Sequence, residues 1–212
     1  MKSTFHETLY RTEQGMEKLQ GQLVTICGAG ALGANLCESL ARTGVNAIRL
    51  IDHDRVEQHN ISTQPYLLED VGGHKAAILA SYLYRASRVE IEPIRKTLDA
   101  RNVKKLLKGS RLVVDCFDNS PSRRILTEHS EQQSLHCIHV GLASDYAEVV
   151  WNEVYAVPGP SQDDVCDYPL ARTLVTLAVS VANEAILRFL ISDEKKNWSV
   201  TFEDLAVKEM LL

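Results

Sequence analysis

The chain has 212 residues, of which 45% are hydrophobic and 24% are charged, and its formal net charge at pH 7 is −5. This acidic balance argues against binding to nucleic acid through a broad basic face. The five cysteines form no Cys-x-x-Cys pair, so we expect neither a disulfide framework nor zinc. With no signal-peptide pattern and no apolar run of membrane-spanning length, we expect a cytoplasmic protein.

Residues 1–22 are polar, and Leu9, Met16 and Leu19 are their sparse apolar anchors. That stripe is too thin for a helix with a core of its own. We therefore expect an N-terminal arm that lies on the domain or on a second subunit. Residues 23–212 are expected to form a single domain.

A short apolar strand at residues 23–27 runs directly into Gly-x-Gly-x-x-Gly, formed by Gly28, Gly30 and Gly33. Such glycines allow a tight turn, close approach of a phosphate, and close packing of the following helix on the strand. The N-terminus of that helix attracts anions. Asp52 ends the next strand, where an acid reaches a ribose hydroxyl. The unit predicts nucleotide binding.

A long polar loop, residues 53–72, follows this second strand. It is expected near the carboxyl ends of a parallel sheet, where doubly wound folds bind ligands, although a plain surface loop is the alternative. The next helix opens with Lys75 in its first turn, where a cation opposes the helix dipole. A bound phosphate would explain that lysine.

Further strands are predicted at residues 89–94, 112–114 and 137–140, with antiparallel pairing at 147–157. Asp118 follows the second of these strands in a turn where Ser120 is expected to cap the next helix. A carboxylate beside phosphates suits a Mg²⁺ ligand, with an Asx-type turn residue as the alternative.

The remaining patterns complete one architecture. Residues 170–191 predict a long buried helix, and residues 197–202 a last strand before a charged tail. The predicted fold class is α/β: a Rossmann-like, doubly wound, mostly parallel sheet with an antiparallel extension, in a single domain.

The chain resembles the ThiF/MoeB/HesA superfamily, the adenylating domain of ubiquitin-activating-type enzymes, over roughly residues 11–190. The resemblance rests on residues 28–33, on 51–57 with Asn60 and Gln64, on 73–76, and on 115–119 with Arg123. It implies binding of Mg²⁺ and ATP. It also implies an adenylyltransferase that attacks the α-phosphate with the C-terminal carboxylate of a small ubiquitin-like or sulfur-carrier protein, or of a peptide.

The resemblance also implies roles for single residues. The glycine turn with Ala31 would hold the phosphates, Asp52 the ribose, and Asp118 the Mg²⁺. Arg11 resembles an N-terminal arginine that reaches the site of the opposite subunit, which implies a homodimer. Together with Lys75, Asp118 and Arg11 would act in catalysis. Further nucleotide contacts would come from Asp54, Asn60, Gln64, Lys75 and Asn119.

Three departures from the family pattern stand out. Thr63 occupies the place of an arginine that faces phosphate, a loss of about 2–4 kcal/mol if that cation acts on the transition state. The paired cysteines that bind zinc in many members are absent, as is an insertion with a transfer cysteine. Cys166 lies among Asp163, Asp164 and Asp167, whose charge is expected to raise its pKa and weaken it as a nucleophile.

Two alternatives therefore stay open beside the adenylyltransferase. One is a nucleotide- or carrier-binding subunit with little catalysis of its own, favoured by Thr63. The other is an NAD-dependent dehydrogenase, which the glycines and Asp52 permit. Lys75, Asp118 and the lack of a substrate domain count against the dehydrogenase.

Overall fold

The computed structural model describes residues 3–159 and 169–211. The helices are α1 (Phe5–Lys18), α2 (Ala31–Thr43), α3 (Lys75–Ser87), α4 (Val103–Leu106), α5 (Ser120–Gln133) and α6 (Arg172–Ser192). The strands are β1 (Val24–Cys27), β2 (Ile48–Ile51), β3 (Ile91–Ile94), β4 (Leu112–Asp115), β5 (Cys137–Ala143), β6 (Tyr146–Trp151), β7 (Asn197–Thr201) and β8 (Ala206–Met210).

The strands form one sheet in the order β3-β2-β1-β4-β5-β6-β7-β8. Strands β1 to β5 are parallel, and β6, β7 and β8 continue the sheet with antiparallel pairing. The chain order reverses on either side of β1, which places a crevice at the carboxyl ends of β1 and its neighbours. The predicted fold class is confirmed.

The two faces of the sheet bury separate cores. Ile26 of β1 packs into the larger core, which also takes in Leu36 of α2, Leu79 of α3 and Leu187 of α6. Cys27, the next residue, points to the smaller core beneath α4 and α5. This alternation follows from the period of two along a strand. Strand β1 is buried on both sides as a result, and its carboxyl end is held rigidly.

The last helix corrects one expectation. Helix α6 is long and apolar enough to cross a membrane by length and composition, with a mean hydropathy of 1.8, yet 61% of that window is buried inside the protein. The expectation that the chain has no apolar run of membrane-spanning length is therefore wrong for α6. Burial against the sheet and α2 accounts for its composition, as for a core helix.

Two local predictions differ from the structure, whereas the antiparallel pairing predicted within residues 147–157 is present as one strand, β6. The charged tail pairs with β7 as the edge strand β8, whose polar side chains suit an exposed edge. Asn119, not Ser120, caps α5: its Oδ1 accepts from the Ser122 backbone N–H at 2.9 Å. A longer side chain one position earlier reaches the same orphan donor.

Candidate active site

The three glycines of the turn after β1 serve different purposes. Gly28 has φ 99°, and a Cβ there would lie 2.9 Å from the carbonyl oxygen of Cys116. A Cβ on Gly33 would lie 1.9 Å from the Gly28 carbonyl oxygen, so α2 packs on the turn only with glycine there. A Cβ on Gly30 would meet no atom within 4 Å. Gly30 therefore leaves open space at the N-terminus of α2, and a helix N-terminus is a position that favours anions.

Asp52 is built into this turn rather than merely placed beside it. Its Oδ2 accepts from the Ala29 backbone N–H at 2.6 Å, and its Oδ1 accepts from the Asp54 backbone N–H at 2.7 Å. The side chain is buried, and burial raises the pKa of Asp52 above its ordinary value. The Tyr66 hydroxyl donates to the Ala29 carbonyl at 2.9 Å from the other side. Each Asp52 oxygen keeps a second lone pair for a ligand hydroxyl.

Lys75 is buried at the start of α3 and points toward Asp54. Its Nζ lies 3.5 Å from Asp54 Oδ2, and its backbone N–H donates to the Asp54 carbonyl at 3.0 Å. The sequence predicted a cation facing phosphate and did not identify this partner. The ion pair partly neutralises Lys75, and solvent screens the pair because Asp54 is exposed.

The polar loop 53–72 folds over α2 through a short 3₁₀ segment, Gln58–Ser62. Asn60 is buried, and its Oδ1 accepts from the Glu57 backbone N–H at 2.9 Å, so its amide nitrogen is the atom that could donate to a phosphate. Asn35 of α2 donates to the Thr63 carbonyl at 2.8 Å. Gln64 is buried as well, and its Oε1 has no partner among the described residues. Such an atom normally has a ligand or water against it.

The turn after β4 brings Asp118 to the same edge of the sheet. Asp115, fully buried at the end of β4, accepts from the Phe117 backbone N–H at 3.0 Å and so fixes the turn. Cys116 of this turn is the residue that abuts Gly28. Asp118 is exposed, and Asn119 Nδ2 lies 3.4 Å from its Oδ1. Asn119, expected to contact nucleotide, is mainly occupied as the cap of α5.

A buried polar network beneath this turn was missed by the sequence reasoning. His139 of β5 lies between Asp115 and Asn152: its Nδ1 is 2.8 Å from Asp115 Oδ2 and its Nε2 is 2.8 Å from Asn152 Oδ1. Tyr155 stacks on His139 at 3.6 Å between ring centroids, and its hydroxyl accepts from Arg123 at 2.8 Å. The available signal was a polar residue in each of two adjacent apolar strands, Asp115 at the end of β4 and His139 inside β5.

Arg123 connects the network to the turn. Its Nε donates to the Phe117 carbonyl at 2.6 Å, and its NH1 lies 3.9 Å from Asp115 Oδ2. Burial lowers the pKa of Arg123, but Asp115 and Tyr155 raise it by more. The net pKa therefore lies above the ordinary value, and the guanidinium stays charged. We conclude that Arg123 is a support of the Asp118 turn.

Three side chains near Lys75 could approach a cation together: Asp52, His53 and Asp54, whose ligand atoms lie within 4.8 Å of one another. Both Asp52 oxygens already accept backbone hydrogen bonds, and Asp54 faces Lys75. These partners compete with a metal. Asp118, exposed and without a cationic partner among the described residues, has the better donor set for Mg²⁺.

Arg11 is not brought to this site within its own chain. It lies in α1 and pairs with Glu7 at 2.7 Å and with Glu184 of α6 at 2.6 Å. Glu184 is twelve residues beyond the start of α6, which places it about 18 Å along the helix. The structure therefore shows Arg11 docking α1 on α6.

The described cysteines are buried, free thiols. They are Cys27, Cys37, Cys116 and Cys137, and burial is the main cause that raises the pKa of each. Cys166, with Asp163, Asp164 and Asp167, lies outside the described residues. The prediction for its reactivity stays a prediction.

Relatives are found over part of the chain. It is 33% identical over 128 residues to the SAMP-activating enzyme E1 of Haloferax volcanii, which covers 59% of this chain and 47% of the relative. It is 35% identical over 119 residues to the sulfur carrier protein adenylyltransferase of Thermus thermophilus, covering 54% and 43%. These matches span less than half the length of each relative.

Solved structures share the fold over nearly the whole chain. Escherichia coli MccB with AMPCPP and MccA superposes with a TM-score of 0.82 at 17% identity, covering 97% of this chain and 68% of that one. PaaA superposes with a TM-score of 0.78 at 18% identity, covering 98% and 70%. The sequence model of the ThiF family matches residues 7–206. This chain belongs to the ThiF family.

Proposed function

We propose that the protein is an ATP-dependent adenylyltransferase. Its substrate would be the C-terminal carboxylate of a small ubiquitin-like or sulfur-carrier protein, or of a peptide. One observation carries the proposal: Gly30 leaves the N-terminus of α2 open between Asp52 and the Asp118 turn. The named functions of the Haloferax and Thermus relatives support the acyl substrate, and the structure of MccB with ATP supports the nucleotide.

The residues present fit a nucleotide triphosphate. The open space at Gly30 lets phosphate oxygens approach the first backbone N–H groups of α2. The partnerless Oε1 of Gln64 is a buried acceptor that a ligand hydroxyl or a bound water could satisfy. Asp52 offers its remaining lone pairs to the ribose.

The reaction is an in-line displacement. A carboxylate oxygen of the acyl substrate forms a bond to the α-phosphorus, the bond to the bridging oxygen of the β-phosphate breaks, and pyrophosphate leaves with that electron pair. The product is an acyl-adenylate, and no proton transfer is needed. Charge develops on the departing oxygen, so fixed donors there lower the barrier. Lys75 and the Asn60 amide would supply those donors.

We propose Asp118 as the ligand of Mg²⁺. A metal held there would neutralise phosphate charge and hold the leaving group in line. The Asp115 and Arg123 contacts fix the Asp118 turn against the glycine turn, which keeps the carboxylate near the phosphates. The Asn119 amide beside Asp118 restricts that side chain further.

We also propose a homodimer in which Arg11 serves the site of the partner copy. Arg11 lies far from the site of its own chain, so a direct role there requires a second copy. The ion pair with Glu184 would have to open for the Arg11 guanidinium to reach the partner's site. The free, buried thiols suit a reducing cytoplasm, and the acidic chain suits a protein partner better than nucleic acid.

A second candidate function has specific support. The Lys75–Asp54 ion pair and the uncharged Thr63 leave little unpaired positive charge over the proposed phosphate position. A subunit that binds nucleotide or carrier with little turnover would tolerate this arrangement. The two functions differ in pyrophosphate exchange, not in nucleotide binding.

Titration calorimetry tests the nucleotide. We expect ATP to bind in the presence of Mg²⁺, and the affinity to fall at least about tenfold in Asp118→Ala or after chelation. If the protein binds NAD more tightly than ATP, the proposed function is wrong.

Subunit mixing tests the dimer. Arg11→Ala and Lys75→Ala proteins are each expected to be inactive alone, and a mixture should regain activity because one hybrid site holds both wild-type residues. A mixture that stays inactive after subunit exchange contradicts the role in trans.

A further inference from the structure

The charge balance of the proposed site is acidic. Asp52 accepts from the backbone of the glycine turn, Asp118 follows the turn at Cys116 that abuts Gly28, and Lys75 is already paired with Asp54 at 3.5 Å. A triphosphate adds more negative charge. Like charges at such distances repel unless cations or a metal offset them. A further cation at the rim of this space would therefore change both binding and chemistry.

Arg172 is a cation that contacts the loop carrying Asn60 and Gln64. It is the first residue of α6, it is exposed, and its NH1 lies 3.4 Å from the carbonyl oxygen of Ser62. That distance is long for a hydrogen bond, and a guanidinium has four further N–H donors. The contact with Ser62 fixes the position of the Arg172 guanidinium and leaves most of its N–H donors available to a ligand.

A short chain of contacts connects Arg172 to the anion-binding end of α2. Ser62 is followed by Thr63, whose carbonyl accepts from Asn35 at 2.8 Å. The same Asn35 amide nitrogen donates to the carbonyl of Ala31, the first residue of α2, at 2.7 Å. The segment that carries Asn60 and Gln64 is thus in contact with the first residue of α6 on one side and with the first two turns of α2 on the other.

We propose that Arg172 binds the β- and γ-phosphates of ATP, supplying from α6 the positive charge that Thr63 does not supply from the loop. The inference rests on the proposed function. Its guanidinium would swing from the Ser62 carbonyl onto phosphate oxygens, which are stronger acceptors because they are charged. Lys75 and Arg172 would then hold the phosphates from opposite sides of the 3₁₀ segment.

A merely structural role makes a different prediction. A cation at the end of a helical turn stabilises the last carbonyls, and Arg172 could do only that for the segment ending at Ser62. Such a role requires a hydrogen-bond donor at position 172, and it does not depend on how many phosphates the nucleotide carries. Arg172→Gln keeps a donor and removes the charge, whereas Arg172→Lys keeps the charge and a donor.

The test compares ATP with AMP by titration calorimetry in the presence of Mg²⁺. We expect Arg172→Gln to weaken ATP at least about tenfold, with AMP little changed and thermal stability unaltered, and Arg172→Lys to retain most of the ATP affinity. Arg85→Gln, an exposed arginine in the last turn of α3, is the matched control and should bind ATP like the wild type.

Either of two results would overturn the inference. If Arg172→Gln binds ATP as tightly as the wild type, Arg172 does not contact the phosphates. Equal weakening of ATP and AMP shows a structural role. Both are distinct from failure of the proposed function, in which the wild-type protein itself does not bind ATP.

Discussion

Substitution of two glycines by alanine separates the nucleotide site from the stability of the fold. A Cβ on Gly30 enters open space, so Gly30→Ala is expected to leave the free energy of unfolding nearly unchanged. Alanine loses the N-cap preference of glycine, but it also restricts the unfolded chain, and each effect is about 0.5–1 kcal/mol. The space it fills is the one we assign to phosphate.

Gly33→Ala has the opposite profile. Its Cβ would start 1.9 Å from a backbone oxygen, and Cβ contacts under 3.0 Å do not occur, so α2 must shift by more than 1 Å. Overpacking of this kind costs up to about 3 kcal/mol, and the better helix propensity of alanine returns about 1 kcal/mol. The net loss of about 2 kcal/mol lowers the Tm by about 4–8 °C.

Calorimetric titration with ATP and thermal denaturation measure both effects. Gly30→Ala should keep the wild-type Tm and bind ATP at least about tenfold more weakly, a loss of about 1.4 kcal/mol. Gly33→Ala should lose both, because the N-terminus of α2 moves. Wild-type ATP affinity in Gly30→Ala would refute the reasoning, since the open space would then not hold the nucleotide.

Two further predictions concern the supports of the site. Asp115→Asn leaves Arg123 and His139 without their buried carboxylate, and we expect a loss of about 3 kcal/mol in unfolding free energy by denaturant titration. Burial raises the pKa of Glu184, but the hydrogen bonds and charges of Arg11 and Arg188 lower it by more. The net pKa therefore lies below the ordinary value of 4.5. Its contribution to stability is thus present above pH 4.5 and lost as the pH falls through the lowered pKa. As the pH falls below 4.5, the unfolding free energy of Glu184→Gln should therefore decrease less than that of the wild type. An equal decrease in both proteins would contradict the ion pair.

The sequence predicted those features that depend on local backbone geometry. The turn at Gly28, the helix after Gly30 and the acid at Asp52 follow from spacing, because each is tied to one βαβ unit. Lys75 at the start of α3 is equally local. The structure has each of these residues at the expected place in the chain's first three parallel units, and their roles toward a nucleotide stay predictions.

The partners of these residues could not be predicted in the same way. Asp54 beside Lys75, and His139 beside Asp115, depend on side-chain directions and on the register of β4 against β5. Arg172 reaches Ser62 across 110 residues of chain. No periodicity in one sequence encodes such a contact, since it requires the order of strands in the finished sheet.

The most direct test of the account is ATP–pyrophosphate exchange with candidate ubiquitin-like and sulfur-carrier proteins, each used with and without its C-terminal residue. We predict exchange that requires ATP, Mg²⁺ and the intact C-terminus, and that is abolished in Lys75→Ala, because the cation stabilises charge on the departing pyrophosphate. Cys166→Ser should exchange like the wild type. A carrier that binds the protein together with ATP yet supports no exchange would contradict adenylation and leave a binding subunit.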